Sequence, residues 1–156
     1  MQTHTFFPSL KQKFLNHPAN EIRVLVGGCF DVLHFGHVSF LNAAKAHGNF
    51  LIVALESDEF IHTSKKRAPI HNQKERQMIL ENLRSVDMVI SLPFLQSYDE
   101  YLELVKIIRP QIIAVTENDS QLFNKERQAE MVGGRVIAVT PQIKTFSTTK
   151  ILTGHR

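Results

Sequence analysis

The chain is almost without cysteine: Cys29 is the only one in 156 residues. An internal disulfide is therefore excluded, which suits a reducing cytoplasm as the expected location. No apolar run approaches the roughly 20 residues that cross a bilayer, so no membrane association is expected. The opening stretch MQTHTFFPSLKQKF lacks the apolar centre of a secretory leader. Internal repeats and low-complexity linkers are also missing. Charge of one sign is scarce: the net charge is +3, the pI is about 9.1, and Lys65-Lys66-Arg67 is the one basic cluster. Nucleic-acid binders carry a broader basic footprint, so no nucleic acid is expected, whereas small anionic ligands suit the balance. What the chain has in quantity is apolar side chain, 43% of residues, enough for the core of one compact domain.

The stretch VGGCFDVLHFGHVSFLNAAKAHG, from Val26 to Gly48, organises the rest. The apolar run Ile22 to Val26 stops at Gly27-Gly28, and Cys29-Phe30-Asp31 and the spaced His34 and His37 follow. Val38, Leu41, Ala44 and Lys45 then recur at helical spacing. A strand, a tight turn and a helix with two imidazoles at its mouth are expected. A helix N-terminus presents unpaired N–H groups and partial positive charge, a natural seat for phosphate. Glycines at the turn let backbone approach a ligand closely. Two histidines three apart can face one ligand and donate to phosphoryl oxygens. They can equally be a metal pair or ordinary structural histidines; a zinc site needs roughly three or four ligands, and Cys29 is the lone thiol.

Residues 1–21 read as an N-terminal extension and 22–156 as the main domain. In the extension, Pro8 and Pro18 bracket Leu10, Phe14 and Leu15, the makings of a short amphipathic helix that packs on the domain or forms a dimer contact, the alternative being a partly ordered tail. Phe50 to Leu55 is a second, fully apolar strand, suited to a parallel sheet covered on both faces. Glu56 to Phe60 follows at its carboxyl end, and then a polar, basic loop from Lys65 to Pro69. Asn72 caps a helix with Met78, Ile79, Leu83 and Val86 as its apolar positions. Asp87 to Ser91 is a third strand, and Ser97 caps a helix with Tyr101, Leu104, Val105 and Ile108 as a core stripe. Ile112 to Val115 is a fourth strand, Gln121 to Met131 a polar helix stopped at Gly133-Gly134, and Val136 to Val139 a fifth strand. The alternation predicts a single doubly wound α/β domain, Rossmann-like, with a five-stranded parallel sheet and helices on both faces. Ser147, Thr148 and Thr149 open a last helix, as capping hydroxyls do.

Gly28-Cys29-Phe30-Asp31, His34-Phe35-Gly36-His37 and Ser147-Thr148-Thr149-Lys150-Ile151 together resemble the HxGH nucleotidyltransferase superfamily. Within it the chain is similar to the glycerol-3-phosphate and phosphoethanolamine cytidylyltransferases and to the heptose-phosphate adenylyltransferase domain, from about Arg23 to Leu152. The resemblance implies strand order 3-2-1-4-5 and transfer of a nucleotidyl group, CMP favoured, from a nucleoside triphosphate to a phosphorylated polyol or sugar, with release of pyrophosphate. It implies catalytic roles for His34, His37 and Lys66. Gly28, Cys29, Phe30, Asp31, Lys65, Arg76, Ser147, Thr148 and Thr149 would bind the nucleotide, and Asp58 and Asp119 the acceptor. For Arg76 the residues alone allow a surface ion pair with Glu75 instead. Mg2+ is the implied cofactor, bridging phosphates with no protein cage, and a homodimer is the expected assembly. STTKI and SDEF lean to CTP; HVSFLNAAKAHGN and the Gly133 to Val136 region lean to ATP. The alternatives are an adenylyltransferase of the heptose-phosphate type and a catalytically weak nucleotide-binding module.

Two segments depart from the pattern. Gln142 to Phe146 lacks the arginine that opens the matching motif, and Lys144 has no planar fork to replace it. Thr116-Glu117-Asn118-Asp119 stands where the resembling enzymes turn on glycine. Glu117 and Asn118 would then meet the acceptor and make glycerol 3-phosphate a poor one.

Overall fold

The computed structural model of the chain describes residues 3–18, 20–140, 151, 152 and 154. Its centre is a five-stranded, all-parallel sheet in the order β3-β2-β1-β4-β5. The strands are β1 (Arg23–Gly28), β2 (Phe50–Leu55), β3 (Met88–Ser91), β4 (Ile112–Thr116) and β5 (Arg135–Thr140). The helices are α1 (Thr3–Phe14), α2 (Phe35–Lys45), α3 (Asp58–Lys65), α4 (Gln73–Glu81), α5 (Tyr98–Ile108) and α6 (Leu122–Glu130). This is the Rossmann-like order expected, and its strand directions follow from apolar runs that must be covered on both faces.

Strand alternation divides the core in two. Leu25, Ile52, Ala54, Ile90, Ile113 and Val115 point to one side, where Phe6, Leu10 and Phe14 of α1, Leu104, Val105 and Ile108 of α5 and Ala129 of α6 cover them. Val24, Val26, Leu51, Val53, Leu55, Val89, Ile112 and Ala114 point to the other, under Leu41 and Ala44 of α2 and Leu80 of α4. β1 pairs with β4 through Val24↔Ile112 and Leu25↔Ile113. The chain winds outward in both directions from that pair, so the crevice beyond its carboxyl ends is where ligands of such sheets bind.

Several expectations need correction. The strand does not stop at the glycines: Gly27 and Gly28 are its last residues, and both left-handed residues of the turn carry side chains, Phe30 at φ 47° and Val32 at φ 54°. The role of Gly28 is space, since a Cβ there would lie 2.9 Å from the Phe30 ring. The N-terminal helix is not bracketed by Pro8 but runs through it from Thr3. A proline inside a helix removes one hydrogen bond; Phe6, Leu10 and Phe14, four apart, bury one face and offset that, while Leu15 is exposed. On α4 the buried positions are Arg76 and Leu80, and Met78 points to solvent. α3 has no counterpart in the sequence reading. Ser57 caps it by accepting from the Phe60 N–H at 3.1 Å, and Lys66 ends it at φ 55°.

Candidate active site

A cleft of about 810 Å³ opens at the carboxyl ends of β1 and β4. Gly28, Cys29, Phe30, Asp31, His34, His37, Lys65 and Asp119, all expected at the site, line it. Lys66, Asp58 and Arg76 do not line it among the described residues. Ser147, Thr148 and Thr149, with the 142–146 departure, lie outside the described residues.

The two imidazoles form the helix cap itself. His34 is the N-cap of α2, and its Nδ1 accepts from the Gly36 N–H at 3.1 Å. His37 stands at the third helical position, and its Nδ1 accepts from the His34 N–H at 3.4 Å. With Nδ1 of each ring accepting, the proton of a neutral imidazole belongs on Nε2. The rings stack with centroids 3.8 Å apart, and His37 also meets the Phe30 ring at 5.3 Å. Burial holds His34 below the usual imidazole range. Burial, and then the neighbouring His34, push His37 down to about 4. Both are therefore neutral donors at pH 7, stacked at the positive end of a helix.

Asp31 anchors the loop that faces them. Its buried carboxylate accepts from the Arg67 guanidinium at 2.6 Å and from the backbone N–H groups of Ile70 and His71 at 3.1 Å each. Burial would raise its pKa, but the bonds from Arg67, His71 and Ile70 outweigh it and hold the carboxyl below the usual range. Arg67 lines the cleft as well. The basic cluster is the sequence signal for it, although the resemblance implies Lys66. The left-handed end of α3 instead brings Lys65 and Arg67 to the cleft.

Arg76 is neither at the surface nor paired with Glu75. It is 1% exposed, and its guanidinium donates to the carbonyl oxygens of His71 at 3.0 Å and Cys29 at 2.6 Å and to Asp58 at 2.7 Å. It ties α3, α4 and the turn after β1 from behind. Burial and the charge of Glu56 push the Cys29 thiol up, so it is no activated nucleophile.

On the far side, Asp119 accepts from the Lys125 ammonium at 2.8 Å and the Gln121 N–H at 2.7 Å. Glu117 and Asn118 are exposed and do not line the cleft, contrary to the expectation that they meet the acceptor. Asn118 takes a left-handed conformation, at φ 61°, which asparagine tolerates better than most residues.

Sequence reasoning missed two groups. Glu56 follows β2 and is 7% exposed, with Oε1 accepting from the Tyr101 hydroxyl at 2.9 Å. Burial pushes its carboxyl up to about 7, against the pull of Tyr101, Lys125 and Arg76. Unfolded, the group ionises near 4.5. Between these values the native state holds the extra proton, so stability falls as pH rises from 4.5 to 7 and stays lowered above. That difference corresponds to about 3 kcal/mol. Glu56→Gln, neutral throughout, should therefore unfold at the wild-type temperature at pH 4 and about 6–12 °C above it at pH 8. Thermal melts in a buffer series check this, and a difference independent of pH would contradict it.

Among the described residues no group of three or more His, Cys, Asp or Glu side chains gathers to hold a metal, and no helix is long and apolar enough to cross a membrane. Residues 25–154 match the sequence model of a family described as cytidylyltransferase-like. The FAD synthase of Thermococcus kodakarensis is 43% identical over 111 residues, 70% of each chain. That of Thermococcus sibiricus is 35% identical over 85% of this chain and 90% of its own. The bifunctional protein HldE of Helicobacter hepaticus is 39% identical over 70% of this chain but only 22% of its own length. A lipopolysaccharide core biosynthesis protein from Thermoplasma volcanium shares the fold, with a TM-score of 0.62 at 24% identity over 79% of this chain and 98% of its own.

Proposed function

The chain belongs to the cytidylyltransferase-like family of nucleotidyltransferases, and from that premise we propose that it transfers an adenylyl group from ATP to a phosphorylated small molecule. One observation carries the reading: two neutral imidazoles stacked at the mouth of α2, their Nδ1 atoms engaged by the helix cap, border a cleft that Lys65 and Arg67 also line. ATP replaces CTP as the favoured donor because relatives at 35–43% identity are FAD synthases. Their name makes a flavin phosphate the first acceptor to try.

In the proposed reaction an oxygen of the acceptor phosphate attacks the α-phosphorus of ATP. The bond from that phosphorus to the bridging oxygen of the β-phosphate breaks, and pyrophosphate leaves. Charge shifts onto the bridging oxygen and the non-bridging α-oxygens. His34 and His37 would donate there, where donors already in place give most. Lys65 would neutralise the far phosphates, and the α2 N-terminus would seat one of them. The reaction requires positioning and charge neutralisation and no covalent intermediate. Asp31 and Asp119 are already engaged by Arg67 and Lys125, so magnesium would arrive with the triphosphate, held without a protein cage, and would supply further charge neutralisation.

Pyrophosphate release from ATP, CTP, GTP and UTP against flavin mononucleotide and several sugar phosphates tests the reading. ATP should be turned over at least tenfold faster than CTP with the best acceptor. Faster turnover of CTP would return the assignment to cytidylyl transfer.

A further inference from the structure

The cleft has two unlike ends. Toward α2 it presents imidazole, lysine and guanidinium. Toward α5 its wall is Leu92, Leu95, Leu104 and Val105, and into that apolar wall are set Glu56 and Tyr101. Glu56 Oε2 is buried and has no hydrogen-bond partner among the described residues, although Oε1 is held by the Tyr101 hydroxyl. An unmet buried oxygen on a carboxyl group is a steep local penalty, rarely tolerated unless something other than the protein meets it. The nucleotide end of the cleft does not use this pair, and no motif of the sequence accounts for it.

We propose that Glu56 and Tyr101 form the recognition site for the far end of the acceptor, where Glu56 Oε2 takes a hydrogen bond from an N–H on the edge of a flat, otherwise apolar ring. The inference rests on the nucleotidyl-transfer reading for the acceptor's other end, its phosphate. The leucines decide against a sugar or polyol there, because each hydroxyl laid on them would lose water without gaining a partner. A ring buries its faces on that wall and exposes one polar edge, which one carboxyl held by a phenol is enough to meet. Recognition by a few polar groups placed in an apolar pocket is the usual form of a small-molecule site. Tyr101 fixes the carboxyl and is a positioning residue.

Equilibrium binding tests this without requiring turnover. The probes are flavin mononucleotide, a ring phosphate with an N–H edge, its derivative methylated at that nitrogen, and ribose 5-phosphate. The wild-type protein should bind the first at least tenfold more tightly than either other, as loss of a hydrogen bond to a buried carboxyl implies. Glu56→Ala should bind flavin mononucleotide and its methylated derivative equally, both weakly, while keeping wild-type affinity for ATP. Tyr101→Phe, which removes one oxygen and fills the same space, should move affinity in the same direction by a smaller factor, and it serves if Glu56→Ala does not fold. Flavin affinity in both variants within twofold of wild type would overturn the proposal, as would wild-type preference for ribose 5-phosphate or no measurable flavin binding. Loss of ATP binding in the wild type would instead count against the nucleotidyl-transfer reading.

Discussion

Replacing His37 by alanine should lower kcat on the order of 10²-fold or more, the usual effect of losing one donor already aimed at developing charge. The structure sharpens why. His37 is neutral in the free protein, fixed by the His34 N–H at its Nδ1 and packed between His34 and Phe30. The ring therefore needs neither proton uptake nor reorientation to offer Nε2–H. His37 also completes the cap of α2, so the variant should lose a little stability as well, about 1 kcal/mol, as cap removal typically does. Steady-state kinetics beside thermal melts separate the two effects. A well-folded variant turning over near the wild-type rate would remove His37 from the mechanism.

The largest effect on stability should come from Arg76→Ala. The arginine is buried to 1% exposure and holds the Cys29 and His71 carbonyls and Asp58 together. Its removal leaves two backbone acceptors without donors and a void the size of a long side chain. Breaking such a cluster from one side costs on the order of 3 kcal/mol or more, which corresponds to about 6–12 °C in Tm for a chain of this size. Arg76→Lys should recover little of this, because one ammonium cannot reach three partners in a plane. ATP affinity of the folded fraction should stay near wild type. A variant with unchanged Tm and much weaker ATP binding would instead make Arg76 a direct nucleotide contact, as the resemblance implied.

Strand positions were legible because each strand is built on a short apolar run between polar segments, whereas the strand order came from the family resemblance. α3 was not legible: of its eight residues only Ile61 is buried, so it has no period to read. The histidine pair was legible as two imidazoles at a helix mouth, and its cap geometry emerged only with the Gly36 N–H that His34 accepts. The surface ion pair allowed for Arg76 was overturned because an arginine early in a polar helix has the sequence signature of a surface group; only its three partners bring it inside. Glu56 was obscured by the same expectation. The alternation Ile52, Ala54, Glu56 places it on the α5 face, but a charged residue just past a strand reads as loop. Tyr101 sits in the correct core stripe, and its hydroxyl emerges only once α5 is docked against β2. The expectation at Glu117 and Asn118 was not met: both are exposed and neither lines the cleft, and Asn118 takes a left-handed backbone that the residue pattern did not announce.

The most direct test of nucleotidyl transfer here is the fate of the α-phosphate of ATP, followed with a label in a reaction containing flavin mononucleotide as acceptor. The label should appear in a product joining the two nucleotides, one pyrophosphate released for each, with none on denatured protein. Label retained covalently on the protein, or pyrophosphate release with free AMP as the only labelled product, would contradict it.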